Sequence, residues 1–170
     1  MDILRSVLIW LTGLLYILVF FPVTFVVWVL TLPFDRKRTV THMMLVYQSW
    51  LFCHIMPAWK FETKWTGKEL RGKVFVMISN HQSILDILFV NSLCLRFKWV
   101  SKIENMRVPV LGWYLRMAAY LTVDRGDHES KESMMDDAFS CLQRGTSVMF
   151  FPEGTRSPDG EIGFFKRGAF

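Results

Sequence analysis

Seven consecutive residues, Asn80-His81-Gln82-Ser83-Ile84-Leu85-Asp86, put an imidazole and a carboxylate five positions apart. They follow the apolar run Val74-Phe75-Val76-Met77-Ile78, which reads as a buried strand. His81 then falls on the loop leaving the strand, and Asp86 in the first turn of the next helix. A carboxylate so placed can hold one ring nitrogen while the other faces a substrate, which fixes the tautomer of a general base. An unperturbed pKa of about 6.5 leaves much of a histidine neutral near pH 7, as that role requires. The same residues also fit a plainer pattern. Ser83-x-x-Asp86 before an apolar helix is a capping box, in which Asp86 only satisfies helix N–H groups.

Two later stretches could supply positive charge to the same place. Asp124-Arg125 ends the run Tyr120–Val123, and Phe151-Pro152-Glu153-Gly154-Thr155-Arg156-Ser157 ends the run Val148–Phe151. In the second, Gly154 lets backbone N–H groups approach a ligand, while Thr155 and Ser157 offer hydroxyls. Arg156 offers a bidentate fork for phosphate. The alternatives are a surface ion pair of Arg125 with Asp124 or Asp127, and a salt-bridged turn joining Glu153 to Arg156.

The elements that must position these groups begin near residue 60. Phe61–Trp65 alternates like a half-exposed strand, and Val74–Ile78, Phe97–Val100, Tyr120–Val123 and Val148–Phe151 read as further strands. Helical stretches lie between them: Ile84–Leu95, Leu111–Met117, and His128–Gln143 ending at Gly145. In the last, Met134, Ala138 and Leu142 form a core-facing stripe. This alternation predicts an α/β domain with a largely parallel sheet flanked by helices. Sites in such sheets gather beyond the carboxyl ends of the strands, where His81, Arg125 and Glu153 would all emerge.

The first 59 residues differ in kind. From Ser6 to Phe34 there is no charged side chain, and as a helix the segment would extend roughly 43 Å against a hydrocarbon core of about 30 Å. Pro22 is a candidate kink. Arg36, Lys37 and Arg38 follow the segment while only Arg5 precedes it, so the positive-inside bias places the remainder in the cytoplasm. Val40–Trp59, ended by Pro57, is a second apolar helix. Its polar residues Thr41, His42, Gln48 and Ser49 form one narrow stripe, which suits a helix lying in a membrane interface with Tyr47, Trp50 and Phe52 near the headgroups. His42 and His54 read as interfacial or packed. The expected organisation is a membrane-associated helical hairpin over 1–59 and an α/β domain over 60–170.

A hydrophobic content of 52% and a net charge of +5 over 170 residues suit a membrane surface or a phosphorylated small molecule as partner. Nucleic acid is not expected, because no recognition motif accompanies the charge. Cys53, Cys94 and Cys141 are scattered and read as reduced core residues, with no metal site or disulfide framework.

Taken together, Asn80-His81-x-Ser83-x-x-Asp86, then Lys102, then Arg125, then Phe151-Pro152-Glu153-Gly154-Thr155-Arg156-Ser157 closely resemble the successive motifs of the glycerolipid acyltransferases. Among these the chain looks most like the membrane-bound 1-acyl-sn-glycerol-3-phosphate (lysophosphatidate) acyltransferases. The resemblance covers about 60–170, and the apolar N-terminal segments are similar to that family's membrane-docking helices. It implies transfer of a fatty acyl group from acyl-CoA or acyl carrier protein, a co-substrate and not a cofactor, to the free hydroxyl of lysophosphatidate. His81 would be the general base and Asp86 its orienting partner. Arg125, Glu153, Gly154, Thr155 and Arg156 would form the acceptor site, with Lys102 a further candidate. No acyl-enzyme is implied, so neither Ser83 nor a cysteine is a nucleophile. Action on another lysolipid, or a truncated lipid-binding protein without activity, are the other readings. Ala119 stands where the family commonly has Gly. The family also continues past this point into a strand with a fourth, Pro-containing motif at the donor site, so the domain is expected to be incomplete at its C-terminus.

Overall fold

In a computed structural model of the chain, residues 3–56, 62–64, 66–67, 70 and 72–166 are described, and four short apolar runs among them pair into one parallel sheet. The elements are α1 (Ile3–Thr31), α2 (Thr39–Ile55), β1 (Val76–Ile78), α3 (Leu85–Asn91), β2 (Phe97–Lys102), α4 (Leu111–Met117), β3 (Leu121–Val123), α5 (His128–Gln143) and β4 (Ser147–Phe150), with a 3-10 helix at Ile103–Arg107. Strand order is β1-β4-β2-β3. Val76 pairs with Val148, Phe97 with Ser147, and Val100 with Leu121. All four residues of β4 are buried, as expected for a central strand with both faces covered. One core cluster joins Val123, Val148 and Phe150 to Met134, Ala138 and Cys141 of α5; the other joins Phe97, Trp99 and Met149 to Ile87 and Val90 of α3.

Helices α4 and α5 have the bounds expected from the sequence. Asp127 caps α5 by accepting from the N–H groups of Glu129 and Ser130, and Gly145 closes it at φ 76°. Other boundaries are tighter than expected. β1 starts at Val76 and not Val74, and α3 ends at Asn91, after which Cys94 at φ 56° turns the chain into β2. Cys94 is thereby exposed and is not a core residue, unlike buried Cys53 and Cys141. Of the strand expected at 61–65, Glu62, Thr63 and Lys64 carry no regular structure, and Phe61 and Trp65 lie outside the described residues, as do Pro57 and Trp59 at the expected end of the second helix.

The hairpin of α1 and α2 packs along the body. Pro22 sits inside a continuous α1. Only 6% of the most apolar window of that helix is buried, so it is not a core helix. The polar stripe of α2 faces inward, with Thr41, His42, Gln48 and Ser49 all buried. The stripe that suited an interfacial helix is therefore turned into the protein, and of the two readings of His42 the packed one holds. Partners inside the protein explain why. Gln48 Nε2 donates to Thr24 Oγ1 at 2.6 Å, Tyr16 donates to the Gln48 carbonyl, and Asn91 Nδ2 donates to Ser49 Oγ. His42 donates from Nε2 to the Leu95 carbonyl at 3.0 Å and accepts from the Tyr120 hydroxyl at Nδ1. Burial pulls this imidazole down to about 4, the Leu95 bond opposing and Lys98 reinforcing the shift.

Candidate active site

Because β1 and β4 are neighbours, the loops leaving their carboxyl ends lie side by side. The β1 loop carries His81 and the β4 loop carries Phe151 to Ser157. They are stitched together by Glu153, a buried carboxylate whose Oε1 accepts the His81 N–H at 2.8 Å and whose Oε2 accepts the Gly163 N–H at 3.1 Å. Ser157 N–H donates to the His81 carbonyl at 2.7 Å, and Gln82 Nε2 donates to the Gly160 carbonyl.

His81 Nδ1 lies 2.9 Å from Asp86 Oδ2. That same oxygen accepts the N–H groups of Gln82 and Ser83, so Asp86 holds both the histidine and the loop that leads into α3. Burial raises the Asp86 carboxyl, but the bonds from Ser83, His81 and Gln82 outweigh it and hold the group below the usual carboxylate range. An ionised Asp86 accepts only, so Nδ1 carries a proton, and the neutral ring held this way has its lone pair at Nε2. The imidazole stacks on Phe151 with centroids 3.9 Å apart and planes 9° apart. Phe151 leans in turn on Trp99, whose indole N–H is held by Asn91 at 2.9 Å. Among the described residues, Nε2 has no hydrogen-bond partner.

His81 borders a cavity of about 1480 Å³. Its walls are largely apolar, with Trp10 and Tyr16 of α1, Phe52 of α2 and Leu88 of α3 among them, and its lining includes the cations Lys102, Arg125, Lys131 and Lys166 as well as Gly154. Of the residues singled out from sequence, His81, Lys102, Arg125 and Gly154 thus face one space, with Asp86 and Glu153 behind His81. Thr155 and Arg156 are exposed and do not line it. Lys102 is paired with Glu104 at 2.8 Å, and the Lys102 hydrogen bond, then the Lys102 and Arg125 charges, keep the Glu104 carboxyl low. Among the described residues no ion pair joins Arg125 to Asp124 or Asp127, nor Glu153 to Arg156. Asp124 instead accepts from Gly126 N–H, and Asp127 caps α5.

Phe151, Lys131 and Lys166 were not legible as site residues. Phe151 belongs to the motif, but nothing in its apolar surroundings marks it as a platform for an imidazole. Lys166 stands ten residues beyond Arg156, and only the turn at Gly160, φ 87°, hints that the chain doubles back.

The family model described as Acyltransferase matches residues 62–170. A chloroplastic 1-acyl-sn-glycerol-3-phosphate acyltransferase of Brassica napus is 37% identical over 142 residues, 82% of this chain and 40% of its own length. An acyltransferase of the same name from Chlamydomonas reinhardtii is 32% identical over 98% of this chain and 50% of its own, and one from Pseudomonas aeruginosa 31% identical over 81% and 53%. The chain thus spans about half the length of these curated relatives, or less. The crystal structure of the 1-acyl-sn-glycerophosphate acyltransferase of Thermotoga maritima superposes with a TM-score of 0.69 at 22% identity. It covers 99% of this chain and 67% of that one, and shares the fold.

Proposed function

The chain belongs to the acyltransferase family, and from that premise we propose that it acylates the free hydroxyl of lysophosphatidate, giving phosphatidate. The observation that carries the reading is the His81–Asp86 pair, with Nε2 open to an apolar cavity that also holds cations. The names of the relatives, acyltransferases of 1-acyl-sn-glycerol 3-phosphate, support the choice of acceptor.

In the proposed step His81 Nε2 takes the proton of the acceptor hydroxyl as its oxygen attacks the thioester carbonyl. The C–S bond breaks, an ester forms, and the imidazolium returns the proton to the leaving thiolate. Asp86 holds the ring and stabilises the imidazolium. Phe151 sets its plane. Arg125 and Lys102 draw the phosphorylated headgroup toward the cavity, Gly154 leaves it room, and Glu153 fixes the distance between the two loops. Thr155 and Arg156 are proposed to meet the headgroup at the cavity's outer edge. The donor is acyl-CoA or acyl carrier protein, and the step as proposed uses no cofactor. Both the acyl chain and the acceptor partition into lipid. The outward apolar face of α1 and the lipid partner it implies support a membrane-bound enzyme whose site faces the cytoplasm.

The test is acyl transfer to lysophosphatidate by the purified chain in lipid vesicles. General-base loss predicts that His81→Ala lowers kcat by about 10²- to 10⁴-fold while vesicle binding is kept. If wild type and His81→Ala give the same background rate, the enzymatic reading is lost.

A further inference from the structure

In a lysophosphatidate the phosphate and the reacting hydroxyl belong to one glycerol, so the group that binds the phosphate must lie close to the general base. Arg125 follows β3, three strand spacings from β1, or roughly 14 Å along the sheet edge. Lys102 ends β2, two spacings away, and already serves Glu104. Among the described residues only β4 borders β1 directly, and its loop brings one cation back into the cavity, Lys166.

Several contacts seat that lysine. Its N–H donates to the Pro152 carbonyl at 2.9 Å, and Glu153 holds Gly163 just before it. The side chain then crosses Gly154, where a Cβ would stand 2.8 Å from Lys166 Nζ. Gly154 also sits at φ 73°, so its backbone favours glycine, and a Cβ there would push the Lys166 ammonium out of its present place. Among the described residues no carboxylate pairs with Lys166 Nζ, and no hydrogen bond occupies it.

We propose that Lys166 is the phosphate-binding group beside His81, an assignment that rests on the acyl-transfer reading above. An ammonium is a compact cation with three donors, well suited to a phosphate held at one point. The phosphate could belong to the acceptor or to the coenzyme of the donor. The bonds that tie the β4 loop to the His81 loop favour the acceptor.

Steady-state kinetics of the full chain in vesicles, with lysophosphatidate and acyl-CoA varied separately, tests this. Lys166→Ala should raise the KM for lysophosphatidate by about 10- to 100-fold, the usual worth of a charged hydrogen bond, with little change in kcat. Lys166→Arg should restore most of it. Gly154→Ala should mimic Lys166→Ala, and the double variant should be no worse than the more severe single one, because both remove one contact. A rise confined to the KM for acyl-CoA keeps the phosphate contact and moves it to the donor. Unchanged KM values in Lys166→Ala, or a loss in kcat alone, overturn the proposal. A wild type inactive on every lysolipid would instead sink the acyl-transfer reading. In that case protection of wild type, but not Lys166→Ala, by glycerol 3-phosphate in thermal melts would still support the contact, and equal melts would end it.

Discussion

Where β4 meets β2, the side chains turned inward are Val148, Met149, Phe97 and Trp99; where α1 meets α2, a buried Thr24–Gln48 hydrogen bond lies beside apolar contacts such as Tyr16 on Phe52. The outward faces are reversed. Leu11, Leu15, Leu18, Val26 and Leu30 of α1 stand exposed, whereas α5 turns Glu129, Asp136 and Asp137 to the surface. Burial of apolar surface stabilises a body surrounded by water, by about 25 cal/mol per Å². It does nothing for helices whose surroundings are themselves apolar. Such helices are joined instead by interhelical hydrogen bonds and close packing, which is the role of Tyr16, Thr24 and Gln48. The difference teaches that the exposed face of α1 and the body are built differently, which supports the membrane-bound reading proposed above.

A charge placed on either side breaks this comparison most sharply. Leu18 is 62% exposed, so Leu18→Lys removes no internal contact. In water it should be neutral or mildly solubilising. In hydrocarbon a lysine costs about 3 kcal/mol, so vesicle binding should fall by roughly 100-fold with the urea midpoint of the body unchanged. Val148→Lys, at a position with no exposure, should do the opposite and unfold the sheet. Flotation with vesicles and urea melts in detergent read the two effects, and equal flotation of Leu18→Lys and wild type would remove the lipid assignment.

The seam between the regions offers a smaller effect that depends on pH. His42 belongs to α2, yet its ring bonds to Leu95 and Tyr120 of the body. Its folded pKa of about 4 lies below the unfolded value near 6.5. Between those values the unfolded chain binds the extra proton, so stability is full above pH 6.5 and declines as pH falls toward 4. The loss should reach about 2 to 3 kcal/mol. Asp86 also has a depressed carboxyl, but its contribution is present above the unfolded carboxylate value and lost only at lower pH, below this window. The urea midpoint at pH 7.5 should therefore exceed that at pH 5, and His42→Gln should flatten the difference. A flat wild-type profile would mean that the seam is not closed around a neutral ring.

The seam also marks what could be read from the sequence. The four strands of the sheet, the helices α4 and α5 and the pairing of His81 with Asp86 were legible, because each rests on local signals: alternation, a cap at Asp127, a glycine at 145, and a loop short enough to leave few geometries. The alternation at 61–65 misled, since Glu62, Thr63 and Lys64 form no strand. A single Asp86 oxygen meets the ring and the Gln82 and Ser83 N–H groups ahead of α3, while the helix itself carries no side-chain cap. The facing of α2 was not legible. A polar stripe on an apolar helix has the same spacing whether it meets headgroups or buried partners, and those partners lie as far along the chain as Leu95 and Tyr120. Lys166 was hidden for a related reason. Its place above Gly154 depends on Glu153 reaching forward to Gly163, a contact between a side chain and a backbone that no periodicity records.

The smallest effect lies within the body, where two helices end alike on different residues. After α5, Gly145 N–H bonds to the Leu142 carbonyl and Thr146 N–H to Cys141, with Gly145 at φ 76°. After α4, Ala119 N–H bonds to Arg116 and Tyr120 N–H to Leu115, with Ala119 at φ 48°. Both are Schellman closures, which favour glycine at the left-handed position. Ala119 is exposed and does not line the cavity, so its methyl narrows nothing there; its effect lies in the backbone. The left-handed conformation costs a residue with a Cβ about 1 to 2 kcal/mol, against about 0.4 to 1 kcal/mol that alanine recovers by restricting the unfolded chain. Ala119→Gly should therefore stabilise the body by up to about 1 kcal/mol, seen as a small rise in urea midpoint, with KM for lysophosphatidate unchanged. A fall in midpoint would show that the Lys98 ammonium, which donates to the Ala118 carbonyl beside it, holds this turn firmly enough to absorb the strain.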